Sequence, residues 1–438
     1  MRCRPPATCR RRSARSSCSG WPTRGAAPAR RHFGRRAPPW TTRRAPRSRC
    51  SRAARPPPPR AGSSCARCND TRPRGAAMIR LKRSVLNRLD PQSPTVDAVC
   101  ATLQSAIELE HATIPVYLYA LYSLDAHKNA AIAGIIQSVV IEEMLHMVLA
   151  ANVLNALGGT PVVDTPDFIP RFPGPLPGDV DSELTVHLRP FSTEQLDLFL
   201  DIEEPEHPIN YKTFRSAALP EGPVTIGQFY GTIIEALGNL PAGSFANPPR
   251  HQVGPDLMRE AVIVTDLASA QEALRRIVEQ GEGTSRSPLE GDGGGIAHYY
   301  RFMQIKKGKA LIATPGVGPV DEQYAYGGAA VPFDDTGVFP APADPLAANY
   351  PAGGVARFQC DRFNYSYTAL LKSLHALLGG DGTGDRMKGA IGLMMSLKSQ
   401  AKAMMAAIPN PAFHTGPSFE YLDAAPVERP RGTAARAG

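Results

Sequence analysis

Two apolar seams in this sequence each carry a carboxylate where a hydrophobic side chain belongs. Positions 103, 107, 110, 114, 117 and 121 step by four and three, and Glu110 interrupts the otherwise apolar and aromatic set. The second seam runs Ile132, Ile136, Val139, Glu143, His146, Ala150, Val153, Leu157. A carboxylate in such a seam is costly unless it is paired or holds a cation. Glu143–Met144–Leu145–His146 is a Glu-x-x-His unit, which sets both side chains on one face a turn apart. That is the ligand unit of carboxylate-bridged two-metal bundles, which add one Glu from each of two further helices. A single Glu-x-x-His is more often a surface pair. Two seam carboxylates 33 residues apart, one completed by a histidine, favour metal. Glu142 lies off the seam and reads as solvated or as a support behind the ligands.

Other candidates are less constrained. Tyr117 stands seven residues beyond Glu110 on the same seam. Beside a redox metal it would hydrogen-bond a carboxylate or pass an electron, and otherwise it is a core tyrosine. Pro115 removes the hydrogen bond to the carbonyl of His111 and would kink the helix near Glu110. His298 in "IAHYYRFMQI" shares a face with Phe302 and Ile305, so it points inward. Gly295 occupies the position where a glutamate would complete a second Glu-x-x-His. Between 224 and 240, Gln228 and Glu235 share a face with Thr225, Thr232 and Asn239, which periodicity alone calls solvated. Glu235 as a metal ligand is left open.

The elements that must position these residues are helical. The seams predict helices over 96–124 and 130–157, joined antiparallel through 125–129 and stopped by Gly158 and Gly159. Residues 160–181 are rich in Pro and Gly and read as a long crossover. Two strand–helix patterns follow, "LTVHLRPFSTEQLDLFLDIEEPE" and "AVIVTDLASAQEALRRIVEQGEG", whose strands would pair with each other. Further helices are expected over 224–240, 295–309, 360–378 and 385–407, with irregular loop over 310–355.

Of the 438 residues, 1–77 differ sharply from the rest: they hold 21 Arg, no Lys and a single acid, Asp70. Residues 78–438 keep 28 of the 49 bases and 39 of the 40 acids, a net of −11, which argues against nucleic-acid binding by this body. Six of the eight cysteines also precede Met78, and Cys65–Cys68 is half a zinc spacing with no second pair in register. The segment reads as disordered. It is a transit-type leader, an anion-binding arm or, the favoured reading, untranslated sequence before a start at Met78. Cys100 and Cys360 alone cannot frame a disulfide scaffold, so a reduced, cytoplasmic body is expected. No unbroken apolar run of about 18 residues is present, so no membrane span is expected. The expected organisation is 1–77 disordered, 78–425 one helical domain and 426–438 a disordered tail.

"LQSAIELEHATIPVYLYALYSL", "VVIEEMLHMVLAANVLNALGGTP", "IEEPEHP", "TIGQFYGTIIEAL", "IVEQGEGT", "HYYRFMQI" and "GPSFEYL" together resemble the ferritin-like domain of the iminophenyl-pyruvate dimer synthase family, known from violacein, rebeccamycin and staurosporine assembly. The resemblance runs from about residue 90 to 425. It implies an all-α, ferritin-like four-helix bundle with a long crossover, small appendages and two extra C-terminal helices. By the same resemblance, the activity is oxidative coupling of a small amino-acid-derived imine supplied by a partner amino-acid oxidase. The implied cofactor is mononuclear or dinuclear iron; haem is not indicated, and an oligomer is compatible. Glu110, Glu143, His146 and His298 carry over, but the family commonly has glutamates where this chain has Gln228 and Gly295. Two missing anionic ligands point to a one-metal or degenerate site and keep a second reading open, a non-catalytic metal-binding or docking protein. The pathway enzymes are also far longer. Because every periodic helix lies beyond Met78, residues 78–438 are expected to be soluble and helical alone; a chain starting at Met78 that is insoluble while the full chain is soluble would contradict this.

Overall fold

In a computed structural model, the chain is described at residues 86, 89–177, 184–205, 225–246, 248–283, 287–289, 295–314, 323–380, 384–406 and 414–425. The expectations for residues 1–77 and 426–438 lie outside the described residues. Helix α1 (Val96–Tyr122) starts where the Thr95 hydroxyl accepts the Ala98 amide, with Asp97 in the first turn. It runs as one helix past Pro115. Helix α2 (Ala130–Ala156) ends as the seam predicts, with Gly158 at φ +85° turning the chain into a conformation that suits glycine.

The two helices pack along their seams. Leu103, Ile107, Ile132, Ile136, Val139 and Val153 are fully buried, each worth about 1.5–3 kcal/mol of removal from water. Helix α3 (Thr193–Ile202), α4 (Ile226–Gly238), α5 (Leu267–Glu282) and α6 (His298–Lys307) complete the site-bearing half. α1 packs on α2, α2 on α5, α5 on α4 and α4 on α1, closing a ring of four, while α3 pairs with α6 and α6 also touches α2 and α5. The fourth member of the ring is therefore α5; the "HYYRF" helix sits with α3 beside the ring.

α2 is the central element. Every residue from Leu145 to Leu157 is buried, because α1, α5, α6 and α7 (Val355–Leu378) all pack against the helix. By length and composition α2 is apolar enough to cross a membrane, but most of that stretch is buried inside the fold, as in a core helix. Asn129, at its N-cap position, does not cap it. The side chain instead donates to the carbonyls of Asp334 (2.9 Å) and Gly337 (3.1 Å) and accepts the Asp334 amide. A Cβ on Gly337 would lie 2.5 Å from the Asn129 amide nitrogen, so this loop closes only with glycine there.

Two expectations about strands fail. Val186 makes only an isolated bridge to Gly174, residues 261–265 form no strand, and the two segments do not pair. The antiparallel pair observed among the described residues is β1 (Lys309–Ala313) with β2 (Tyr324–Ala330), inside the stretch read as loop. Its alternation is diluted by Gly327, Gly328 and three alanines, which hid the period from sequence reading. The C-terminal pair, α7 and α8 (Gly384–Ala406), falls where expected, α7 beginning a turn early.

Asn152, fully buried on α2, ties the approach to α5 onto the bundle. Its amide donates to the carbonyls of Val253 (2.9 Å) and Val262 (2.8 Å), and its oxygen accepts the Val253 amide (3.0 Å). Asn152→Ala strands these backbone groups and should lower unfolding free energy by about 3 kcal/mol in chemical denaturation.

Candidate metal centre

Six side chains from five elements converge between α1, α2 and the α3–α6 pair. Glu110 comes from α1, Glu143 and His146 from α2, Glu203 from the C-cap of α3, His298 from the first position of α6, and Tyr230 from α4. The ligand atoms fall into two triads, Glu110–Glu143–His146 and Glu143–Glu203–His298, each with its atoms within 4.8 Å of one another. Glu143 belongs to both.

The oxygens are divided between the triads. His146 Nδ1 lies 3.2 Å from Glu110 Oε2 and 3.8 Å from Glu143 Oε2. His298 Nδ1 lies 3.0 Å from Glu143 Oε1 and 3.5 Å from Glu203 Oε2. Glu143 thus turns one oxygen toward each histidine. The outer oxygen of each terminal carboxylate is taken by a phenol: Tyr230 donates to Glu110 Oε1, and Tyr117 to Glu203 Oε1 at 2.5 Å. Each phenol leaves a single inward oxygen on its carboxylate. Tyr117 is fully buried, edge-on to Phe199 and Phe302.

Both imidazoles show Nδ1 to the carboxylates and are held from behind through Nε2. His146 Nε2 meets Gln280 Oε1 at 3.0 Å, and the Gln280 amide donates to Glu260 at 2.9 Å. His298 Nε2 meets Glu142 Oε2 at 3.0 Å, and Arg301 donates to Glu142 Oε1 at 2.7 Å. Such outer hydrogen bonds set the tautomer and aim a metal-binding histidine. Glu142 is the supporting carboxylate that its off-seam position implied.

The close packing of three carboxylates and two imidazoles shifts their protonation. Burial lowers the His146 pKa, but its hydrogen bonds and proximity to Glu110 and Glu143 outweigh that and raise it to about 10. His298 rises well above its ordinary value, burial being outweighed by Glu203, Glu142 and Glu143. Glu110 is raised by burial but held below its usual range by His146, Glu143 and Tyr230. Burial and the charge on Glu143 push Glu203 up, against the pull of His298 and Tyr117. His298 Nδ1, fully buried, lies at ion-pair distance from Glu143 and Glu203 without good hydrogen-bond alignment to either. A buried imidazole nitrogen set among carboxylate oxygens in this way fits a metal ligand, and the donor set of three carboxylates and two imidazoles fits a pair of divalent ions.

Of the residues singled out from sequence, Glu110, Glu143, His146 and His298 are brought together, with Tyr117 beside them. Glu235 is not: it is exposed on α4 and accepts the Gln92 amide at 2.6 Å. Gln228 is occupied in the capping box of α4 with Thr225. Gly295 is not helical, since α6 begins at His298 after Ala297. A glutamate at 295 would therefore not share a helical face with His298. Glu203 stands in the second triad instead. It closes α3 rather than interrupting a seam, so no periodic signal marked it, although it falls within the "IEEPEHP" block. Tyr230 and Gln280 were likewise missed, as both look like ordinary core residues.

Residues 103–307, which contain both triads and their supports, match the family model described as Ferritin-like. The fold of this stretch is ferritin-like. A curated relative, dichlorochromopyrrolate synthase of Lentzea aerocolonigenes, is 26% identical over 415 residues, taking in 79% of this chain and 38% of that protein. The chain thus spans well under half the length of that relative. A crystal structure of a ferritin-like protein from Caulobacter vibrioides covers 73% of this chain and 99% of its own, at 24% identity and a TM-score of 0.50, a likeness of fold.

Three histidines provide a graded test. His111 is buried away from the triads, its Nε2 2.8 Å from the Tyr367 hydroxyl, and burial lowers it to about 3. His375 lies 3.4 Å from Asp164. His146→Ala should lose most bound iron or manganese by elemental analysis, while His111→Ala and His375→Ala retain it.

The pH dependence follows from His146. Its folded pKa of about 10 lies above the ordinary 6.5, so its contribution to stability of the metal-free protein is complete below 6.5 and lost as pH rises through about 10. Metal must displace that proton. Uptake should release protons into a weakly buffered solution, and affinity should fall as pH is lowered.

Proposed function

We propose that this chain is a metal-dependent oxidoreductase, iron being the expected metal, that acts on a small amino-acid-derived imine or similar metabolite. The observation that carries the reading is Glu143, a buried carboxylate with one oxygen toward each of two histidines, each backed by its own terminal carboxylate. Glu110, Glu143 and His146 would hold one ion, and Glu143, Glu203 and His298 the other. Mixed carboxylate and imidazole ligands without thiolate suit iron or manganese. Such ions supply activation of oxygen or peroxide.

The chain's own residues do the positioning. Tyr230 and Tyr117 each hold a proton on the outer oxygen of a terminal carboxylate, leaving the inner oxygen anionic. Arg301 fixes Glu142, and Glu142 fixes His298. The relative named for making dichlorochromopyrrolate supports a role in assembling amino-acid-derived products. An amino-acid oxidase is the class of partner that would supply the imine, and a reducing cytoplasm suits the free Cys100 and Cys360. The non-catalytic alternative drew its force from Gln228 and Gly295; Glu203, standing in the second triad, supports the catalytic reading over it.

Reconstituted with ferrous iron under exclusion of air, the full chain should bind about two ions. Glu203→Gln should leave about one, whereas Glu143→Gln, which touches both positions, should leave less than one. Consumption of oxygen on admitting air should fall in both variants. A wild type that holds no iron or manganese would refute the proposal.

A further inference from the structure

A small cavity opens on the inward face of the two triads. Its apolar wall includes Leu109 from α1, Ile202 from α3, Ile226 from α4, and Ile277 and Val278 from α5. Gly281, one turn beyond Ile277 and Val278, belongs to the same wall. Glycine there is not required by the backbone. Gly281 is helical, and the left-handed turn that ends α5 is made by Gly283, at φ +85°. A helical glycine costs about 1 kcal/mol relative to alanine, so its place in α5 calls for another reason.

Space is that reason. Among the described residues outside its own helix and chain neighbours, a Cβ built on Gly281 would meet a single atom within 4 Å, Glu203 Oε2 at 3.9 Å. That is the oxygen facing His298 Nδ1, on the inner side of the second triad. The neighbouring Gly227 differs: a Cβ there would strike the Glu282 carboxylate at 2.9 Å, so it is needed for packing. At Gly281, among the described residues and apart from its own helix and chain neighbours, only the Glu203 oxygen borders the missing side chain, at ordinary contact distance.

We propose that Gly281 keeps open the coordination side of the His298 position, the place where a small metal-directed ligand of two or three atoms enters. This rests on the two-metal reading above and deepens it. It assigns access to one ion of the pair. Such a ligand occupies the space that a methyl group at 281 would take, next to Glu203 Oε2, while the Ile277, Val278 and Ile202 side chains keep bulk water scarce around it. The His146 position borders the same cavity through Glu110 and His146, but among the described residues no comparable glycine borders its oxygens.

The test uses azide as the probe on the full chain loaded with ferric iron, followed by the visible absorption band of the azide complex, with iron content and helical circular dichroism measured on the same samples. Gly281→Ala should keep iron and helix content and weaken azide by about tenfold, the effect of forcing one methyl into an occupied space. Gly281→Leu should abolish the band. Azide affinity unchanged in both variants at full iron content would overturn this inference and leave the two-metal reading standing. Iron lost from Gly281→Ala would also overturn it, since the space would then serve to hold the ions. A wild type without iron would sink both.

Discussion

Three carboxylates, Glu110, Glu143 and Glu203, are buried within reach of one another, and the fold depends on how that charge is met. Placing one ion in a protein interior costs several kcal/mol after relaxation. A domain of this kind is stable by only about 5–15 kcal/mol, so three unmatched carboxylates would consume most or all of its stability. The structure offers two kinds of compensation. Protons on His146 and His298 supply two positive charges against three negative ones, with Arg301 matched to Glu142. Divalent ions would supply more charge and would draw on His298 Nδ1, which faces Glu143 and Glu203. Proton and metal thus compete for the same nitrogens.

The supporting hydrogen bonds make the halves alike in plan and unlike in chemistry. Each has a histidine, a terminal carboxylate and a phenol, arranged about the shared Glu143. Behind His146 stands a neutral amide, Gln280; behind His298 stands a carboxylate, Glu142, itself paired to Arg301. A carboxylate acceptor makes an imidazole the stronger donor to metal than an amide does. The open space at Gly281 lies on that same side. Ligand strength and access therefore coincide at one position of the two.

How much of this was legible in sequence depends on whether a residue breaks a pattern. Glu110 and the Glu143–His146 unit stand out because each interrupts an apolar seam, and the seams themselves define α1 and α2 with their stop at Gly158. The offset of Glu142 left two readings, solvated or behind the ligands, and its contact with His298 gives the second. Glu203 could not be found this way, since it caps α3 and interrupts nothing. The same holds for Tyr230 and Gln280, whose types are common in cores. Glu235 shows the reverse error: a carboxylate on a helix of the bundle, but exposed like Asn239, although Thr225 and Thr232, read as sharing its solvated face, are buried. Expecting a glutamate at 295 failed for a backbone reason, because the helix that would have carried it starts three residues later. Pairing of the two strand-like segments failed because tertiary packing, through Asn152 and the residues after α2, holds the 253–264 stretch as extended loop.

The choice of α2 to carry the shared ligand has a physical basis. A carboxylate that serves two positions must be held more rigidly than one that serves one, because any shift of its oxygens trades one position against the other. α2 is enclosed by α1, α5, α6 and α7, and from Leu145 onward no residue on it reaches solvent. Close packing on all sides leaves few alternative rotamers or helix shifts. The terminal carboxylates sit differently: Glu203 closes the short helix α3, and a phenol rather than enclosure by helices fixes its outer oxygen. The arrangement places the fixed ligand on the most confined element and a terminal ligand at a helix end beside the open cavity. Glu203 is therefore the least enclosed of the ligand carboxylates, set at a helix end rather than within a packed helix.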